Sequence, residues 1–299
     1  MTALLRGLPI GFWQGWARQG WLPWGVRDRV LRLAWPPVDG PSHAFEEECA
    51  AGRFAGNIDN FVDWSIFFYG AYEHGLLSLL QSIARAAPPA GQVFWDIGAN
   101  VGQHSVGVSP FVAETHSFEP FPPVRQRLER NAALNPGRRI VVHPYGLSDK
   151  AGELPFYGPA SSNLGGGTFD PNDDLSDKIP AGMLPLCVGD DLVDAGAAPA
   201  PTLIKMDIQG FEPMALAGLR RSIEAKRPVI ACEYTDLSRD NGGPDHGVGW
   251  LRAAGYEFFG MGGTPERLRL FAIPEGTGVG TLDLLFVPRE KRGIVRGLP

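Results

Sequence analysis

The stretch Val93-Phe94-Trp95-Asp96-Ile97-Gly98-Ala99-Asn100-Val101-Gly102 decides the fold. A short apolar run ends in a carboxylate, and a turn with glycines four apart leads into Val101–Val108, which reads as a helix. Gly98 permits a tight turn and, lacking a Cβ, lets a ligand approach the backbone. Gly102 allows the helix to pack close to the strand. The same alternation continues outward. Glu114–Phe118 reads as a strand ended by Glu119, Pro122–Leu134 as a helix opened by proline, and Arg139–Pro144 as a third strand. Thr202–Met206 is a fourth strand, ended by Asp207 and followed by the helical stretch Glu212–Ala225. Pro228–Cys232 is a fifth, ended by Glu233. Val248–Ala254 reads as helix, Tyr256–Phe259 and Leu282–Val287 as the last strands, with a hairpin at Arg267–Ile273 between them. Strands alternating with helices pair in parallel through right-handed crossovers, which predicts a doubly wound α/β sheet.

Upstream, Asn60–Ala87 reads as helix, with an apolar face of Leu76, Leu77, Leu79, Leu80 and Ile83 ended by Pro88 and Pro89. The beginning of the chain differs. Trp13, Trp16, Trp21, Trp24 and Trp35 lie there with Arg6, Arg18, Arg27, Arg29 and Arg32. Pro9, Pro23, Pro36 and Pro37 break any long amphipathic helix. This predicts an N-terminal Trp/Arg-rich helical extension over 1–58 and one main domain over 59–299. The indole rings are expected to pack on that domain or on a sister subunit in a homodimer. Peripheral contact with an anionic membrane surface is the other use of such a segment.

Composition narrows the function. Lys and Arg number 27 against 33 Asp and Glu, a net charge of −6, which argues against a general nucleic-acid binder. No apolar run approaches the length of a membrane span. Met1–Trp16 lacks the pattern of a secretory leader. Cys49, Cys187 and Cys232 are odd in number and without metal-ligand spacing, as expected of a cytoplasmic protein.

In an open α/β sheet, ligands bind beyond the carboxyl ends of the strands. The residues there are Asp96, Glu119, Asp207 and Glu233. The turn is not G-x-G-x-x-G, because Asn100 replaces the glycine that a pyrophosphate requires. Asp-x-Gly-x-x-x-Gly suits a ligand with an ammonium group and no pyrophosphate, as in the methionine part of S-adenosylmethionine. Glu119 stands 23 residues after Asp96, where a carboxylate would accept hydrogen bonds from a ribose diol. Capping the helix after Pro120 is its alternative use. His104 and His143 are candidate bases. Glu73 would face the methionine end if its helix closes over the cofactor. Tyr157–Ala181 carries Ser161-Ser162-Asn163-Leu164-Gly165-Gly166-Gly167 and the acids Asp170, Asp173, Asp174 and Asp177, and is expected to be a lid or substrate loop.

From about Asp59 to Val287 the chain resembles the FkbM-type methyltransferases, a class I branch of the S-adenosylmethionine-dependent enzymes. Besides the glycine turn and Phe118-Glu119-Pro120, the resemblance rests on Gly70-Ala71-Tyr72-Glu73, Asn131, Leu134-Asn135 and Gly146-Leu147-Ser148-Asp149. Ile204-Lys205-Met206-Asp207-Ile208-Gln209-Gly210-Phe211-Glu212 and Arg227-Pro228-Val229-Ile230 with Glu233 complete it. It implies a seven-stranded Rossmann-like sheet, with Ala99, Asn100, Pro120, Gly146 and Leu147 joining the cofactor site. It also implies methyl transfer to a hydroxyl on a sugar, natural product or related small molecule. Asp207 would act as base, ammonium holder or metal ligand, and Glu233 would complete a carboxylate pair that could hold Mg²⁺. Helix capping or a structural salt bridge with Lys205 or Arg227 is the alternative use of both. The chain departs from the family at Gln209, where Glu is frequent, and at Gly189, where a bulky residue is usual. Two other functions remain open. A nucleotide-dependent oxidoreductase or epimerase would need the absent glycine and a Tyr-x-x-x-Lys pair. A non-catalytic membrane-surface or partner-binding module would keep only the fold.

Overall fold

The computed structural model of this chain describes residues 7–37, 40–160, 166–234, 247–275 and 282–295. Two short helices come first, α1 (Ile10–Ala17) and α2 (Trp24–Ala34), then the antiparallel strands β1 (Ala44–Cys49) and β2 (Gly52–Asn57). Helix α3 (Phe61–Tyr69) is capped by Asn60, whose side chain accepts the amides of Val62 and Asp63. It ends at Gly70 (φ 84°), and α4 (His74–Arg85) follows. The central region holds β3 (Val93–Ile97), α5 (Gln103–Val108), β4 (Glu114–Phe118), α6 (Pro122–Ala133), β5 (Ile140–His143) and β6 (Gly146–Ser148). Next are β7 (Gly152–Pro159), β8 (Lys178–Val188), α7 (Gly189–Asp194) and β9 (Leu203–Met206). The remainder comprises α8 (Glu212–Gly218), α9 (Arg220–Lys226), β10 (Val229–Tyr234), α10 (Gly249–Ala253), β11 (Tyr256–Thr264), β12 (Arg267–Ile273) and β13 (Leu282–Pro288).

The main sheet has the order β12-β11-β13-β10-β9-β3-β4-β5. Strands β5, β4, β3, β9 and β10 are parallel, and β13 is inserted antiparallel between β10 and β11. The chain runs from β3 outward through β4 to β5, then returns to place β9 on the other flank of β3. That reversal puts the ligand crevice at the carboxyl ends of β3 and β9. Side chains alternate across the sheet: Trp95 and Ile97 join one core with Ile204, Leu216 and Ile223, while Phe94 joins another with Leu77, Leu80 and Leu203. Every residue of β3 and of β4 is buried, as expected of parallel strands covered on both faces.

The expected doubly wound sheet is present, with eight strands in place of seven. The hairpin at Arg267–Ile273 supplies the extra edge strand β12. The helix expected over Asn60–Ala87 is broken at Gly70, and the one over Glu212–Ala225 at Leu219. Residues 1–58 are not only helical, because they include the β1–β2 hairpin. Of the early aromatic residues, Trp13 is buried against Trp64, Phe67 and Phe68, whereas Trp21 is 77% exposed. The segment expected as a lid is partly ordered sheet: β7 and β8 pair antiparallel and β6 joins β8. Ser161 to Gly165 lie outside the described residues. No helix among the described residues is long and apolar enough to cross a membrane.

Candidate active site

The site begins where β3 and β9 end. Gly98 has φ +75°, and a Cβ built on it would lie 1.9 Å from the backbone oxygen of Asp207. Only glycine fits so close an approach. The amides of Gly98 and Ala99 both donate to the carbonyl of Phe118, tying the turn to β4. Glu119 fixes the next link: Oε2 accepts the Asn100 amide at 3.1 Å and Oε1 the Phe121 amide at 3.0 Å. Burial pushes its carboxyl up to about 7, against the pull of those two amides. Gly98, Asn100, Glu119 and Pro120 line a cleft enclosing about 560 Å³ of empty space, part of it open to solvent. Phe121, Val124, Phe156 and Phe169 form its apolar wall, and Asp207, Ile208 and Gln209 its far side.

One strand over lies a buried charge cluster. Lys205 Nζ donates to the carbonyl of Gly98 at 3.2 Å and to Asp207 Oδ2 at 3.4 Å, and stands 3.9 Å from Asp96 Oδ1. Gln209 Nε2 bridges Asp207 Oδ1 (3.1 Å) and Glu233 Oε2 (3.0 Å). Burial works against ionised Asp207, but Lys205 and the hydrogen bonds from Glu233 and Gln209 outweigh it and hold Asp207 below its ordinary range. Burial, then the charge of Asp207, drives Glu233 strongly upward. The two carboxyls titrate as a coupled pair in which Asp207 is the stronger acid and the pair's proton resides preferentially on Glu233. Glu73 and Asp283 line the same cavity, and burial and then Asp207 push Glu73 up to about 7. Glu73, Asn100 and Gln209 are three of the four described non-glycine residues with left-handed backbone, and each lines the cleft or the adjoining cavity. Such strain concentrates at functional sites.

The structure thus brings together Gly98, Asn100, Glu119, Pro120 and Asp207 at the cleft, with Glu73 and Glu233 in the adjoining cavity. Other expected ligands lie away from the cleft lining. Asp96 is fully buried and accepts the Ser105 hydroxyl at 2.6 Å. Ala99 is buried, and a Cβ on Gly102 would meet Leu128 at 2.3 Å. Gly146 and Leu147 are buried in β6, where Gly146 packs on Leu186 and Phe169. None of these five lines the cleft. His143 does not reach it either: its ring stacks on Phe118, and its two nitrogens meet His116 (2.9 Å) and Tyr145 (3.0 Å). His104 is buried beside Glu73, 3.9 Å from Oε2, and burial lowers its pKa to about 3. Its Nε2 has no hydrogen-bond partner. The sequence reading took Lys205 only as a structural salt-bridge partner of Asp207 or Glu233; the Asp207 contact is present, and a lysine inside the apolar strand Leu203-Ile204-Lys205-Met206 was the signal for a place at the site. It also missed Glu212, which accepts the amides of Ile208 and Gly210 (both 2.9 Å) and so shapes the Gln209 turn.

These residues fit an adenosyl sulfonium ligand. The backbone cradle at Gly98 admits no side chain, Glu119 is an acceptor suited to a diol, and the phenyl rings can cover a purine face. Glu73, Asp207, Glu233 and Asp283 line the adjoining cavity together with Lys205, four carboxyls to one ammonium. For a metal at Asp207 and Glu233 the fit is poor. Lys205 already supplies the positive charge there, and no three His, Cys, Asp or Glu side chains among the described residues are arranged as ligands.

The site is a cleft at the switch point of a doubly wound α/β sheet, with Glu119 and Asp207 on its lining. The chain belongs to the FkbM methyltransferase domain family, whose description matches residues 96–258. Over 139 residues it is 32% identical to the hexuronic acid methyltransferase AglP of Haloferax volcanii, covering 46% of this chain and 54% of that protein. The chain therefore spans about half the length of this curated relative. Among solved structures, it is similar to an FkbM methyltransferase from Methylobacillus flagellatus KT, with 23% identity, 65% of this chain and 43% of that one covered, and a TM-score of 0.42. A SAM-dependent methyltransferase from Agrobacterium tumefaciens gives 10% identity, 84% and 71% coverage, and a TM-score of 0.44.

Proposed function

We propose that the chain binds S-adenosylmethionine and methylates a hydroxyl oxygen of a sugar. The observation that carries this reading is the Glu119 carboxyl group, fixed by two backbone amides beside the glycine cradle and lining the cleft. Family membership supports methyl transfer, and the name of the Haloferax relative supports a sugar acceptor. When bound, the cofactor supplies an electrophilic methyl group on a sulfonium. Glu119 holds the ribose diol, and the Phe121, Phe156 and Phe169 wall covers the base. Asp207 and Glu73 surround the ammonium end.

Methyl transfer is in-line, so the protein's main contribution is to position the acceptor oxygen. That oxygen must also shed a proton. Asp207 is the proposed acceptor, a weak base because its pKa is held low, and Lys205 and Gln209 hold its orientation. Because Lys205 supplies the positive charge, activity is expected to withstand EDTA. Loss of activity in EDTA, restored by Mg²⁺, would return the metal to Asp207 and Glu233. The test is titration calorimetry with S-adenosylhomocysteine, followed by its release from S-adenosylmethionine in the presence of sugars. Micromolar binding and sugar-dependent release are expected, and folded protein that binds nothing overturns the reading.

A further inference from the structure

A second pocket lies beside the carboxylate cavity, and most of it is built by residues before the family-matched segment. Trp24 of α2, Phe61, Trp64 and Tyr69 of α3, and Tyr72 form its aromatic walls around about 700 Å³ of space. Asp28, Arg32, His74 and Glu266 supply polar groups. The two cavities meet at Glu73, which lines both and whose left-handed backbone (φ 47°) turns the chain there.

The polar groups are held in place. Arg32 lies with its guanidinium 5.5 Å from the Phe61 ring centre and 5.2 Å from that of Trp64, and its Nε donates to Asp28 Oδ2 at 2.7 Å. Asp28 Oδ1 accepts the Tyr69 hydroxyl at 3.1 Å. Arg32 has five N–H donors in a fixed fork, more than Asp28 takes. At the far rim, buried Arg27 binds the carbonyls of Ala17 and Leu22 and pairs with Glu266, which fastens α2 to the turn between β11 and β12.

We propose that this pocket is the acceptor subsite and that a hexopyranose ring occupies it. The inference rests on the sugar-methylating reading above. A pyranose has two faces of polarised C–H groups and a rim of hydroxyls. The electron-rich ring faces of Trp24 and Tyr69 suit the first, and Asp28 and Arg32 suit the second. Asp28 and Arg32 pair with each other, and the N–H groups of Arg32 beyond the one that Asp28 takes remain to meet a hydroxyl rim. The hydroxyl nearest Glu73 then lies at the junction with the cavity that Asp207, the proposed proton acceptor, also lines. The N-terminal helices thereby supply acceptor specificity, while the sheet supplies the cofactor site.

The test is saturation-transfer NMR of the full chain with methyl β-D-glucuronide, methyl β-D-galacturonide, methyl β-D-glucoside and methyl α-D-mannoside, each with S-adenosylhomocysteine present. At least one pyranoside should receive saturation at its ring protons. That signal should fall at least tenfold in Trp24→Ala and in Arg32→Ala, with S-adenosylhomocysteine affinity within twofold of the parent. The retained affinity certifies that each variant is folded, and Arg32→Lys, which keeps the charge, provides a milder second probe. Transfer that persists in both alanine variants, or none from any pyranoside to a chain that binds S-adenosylhomocysteine, overturns the subsite. Absence of S-adenosylhomocysteine binding to the parent chain is a different result and overturns the cofactor reading instead.

Discussion

The backbone oxygen of Asp207 occupies the space into which a side chain on Gly98 would grow, 1.9 Å from an ideal Cβ. The cofactor turn and the carboxylate strand are thus in direct contact. Their contact is fixed by backbone, which cannot swing aside. Gly98→Ala should therefore be felt at both places. The left-handed backbone alone costs about 1–3 kcal/mol for a non-glycine residue, and displacement of Asp207 adds to it. Thermal unfolding should show a drop of several degrees, together with loss of S-adenosylhomocysteine binding. A variant with parent-like melting and affinity would contradict this geometry.

Glu119→Ala removes the acceptor assigned to the ribose diol and also frees the amides of Asn100 and Phe121. Affinity for S-adenosylhomocysteine should weaken by ~1–3 kcal/mol, the range for a lost charge-assisted hydrogen bond. Calorimetry gives the number directly. Unchanged affinity would remove Glu119 from the ligand site.

Glu119 also has a signature in stability against pH. Burial raises its folded carboxyl from the ordinary 4.5 to about 7. The folded state keeps this proton longer than the unfolded chain does. Its contribution is full below about pH 4.5 and is lost as pH rises through about 7. Glu119→Gln carries a neutral amide at every pH and escapes that loss. Relative to the parent, it should gain ~3 kcal/mol between pH 4.5 and 8, at ~1.4 kcal/mol per pKa unit. Urea midpoints across this range decide the matter, and parallel curves for the two proteins would refute the shift.

Asp207 and Glu233 should respond unequally to neutralisation. Glu233 already holds the shared proton, so Glu233→Gln should reduce sugar-dependent turnover less than tenfold. Asp207→Asn removes the ionised member and should lower turnover by ~10²–10⁴, the usual contribution of a positioned base. It also removes the negative charge that, after burial, keeps Glu233 protonated. Equal losses in the two variants would mean that the proton is not partitioned as the Lys205 contact implies.

Much of the fold was legible because parallel strands announce themselves locally. Val93-Phe94-Trp95 and Leu203-Ile204 are short apolar runs closed by a turn or a carboxylate, and periodicity finds them. Glu119 and Asp207 were legible for the same reason, since a strand end is a local feature. The hairpin strands β1 and β2 were harder, because Ala44–Cys49 reads Ala-Phe-Glu-Glu-Glu-Cys and gives little apolar alternation. His143 stays off the cleft for a related reason. A motif fixes position along the chain but not the direction a side chain faces, and His143 turns toward His116 and Tyr145.

The sequence by itself determined the strand–turn–helix order, the glycine at the cradle and the carboxylates at the strand ends, because these depend on residues adjacent in the chain. The tertiary structure alone decided how they combine. It set Lys205 between Asp96 and Asp207, joined Gln209 to Glu233 across 24 positions, and placed Trp24 and Arg32 in one pocket with Glu73. It also divided one proton between two acids of the same type. Charge sharing depends on burial and on separations of about 3 Å between residues far apart in the chain, which no local pattern encodes.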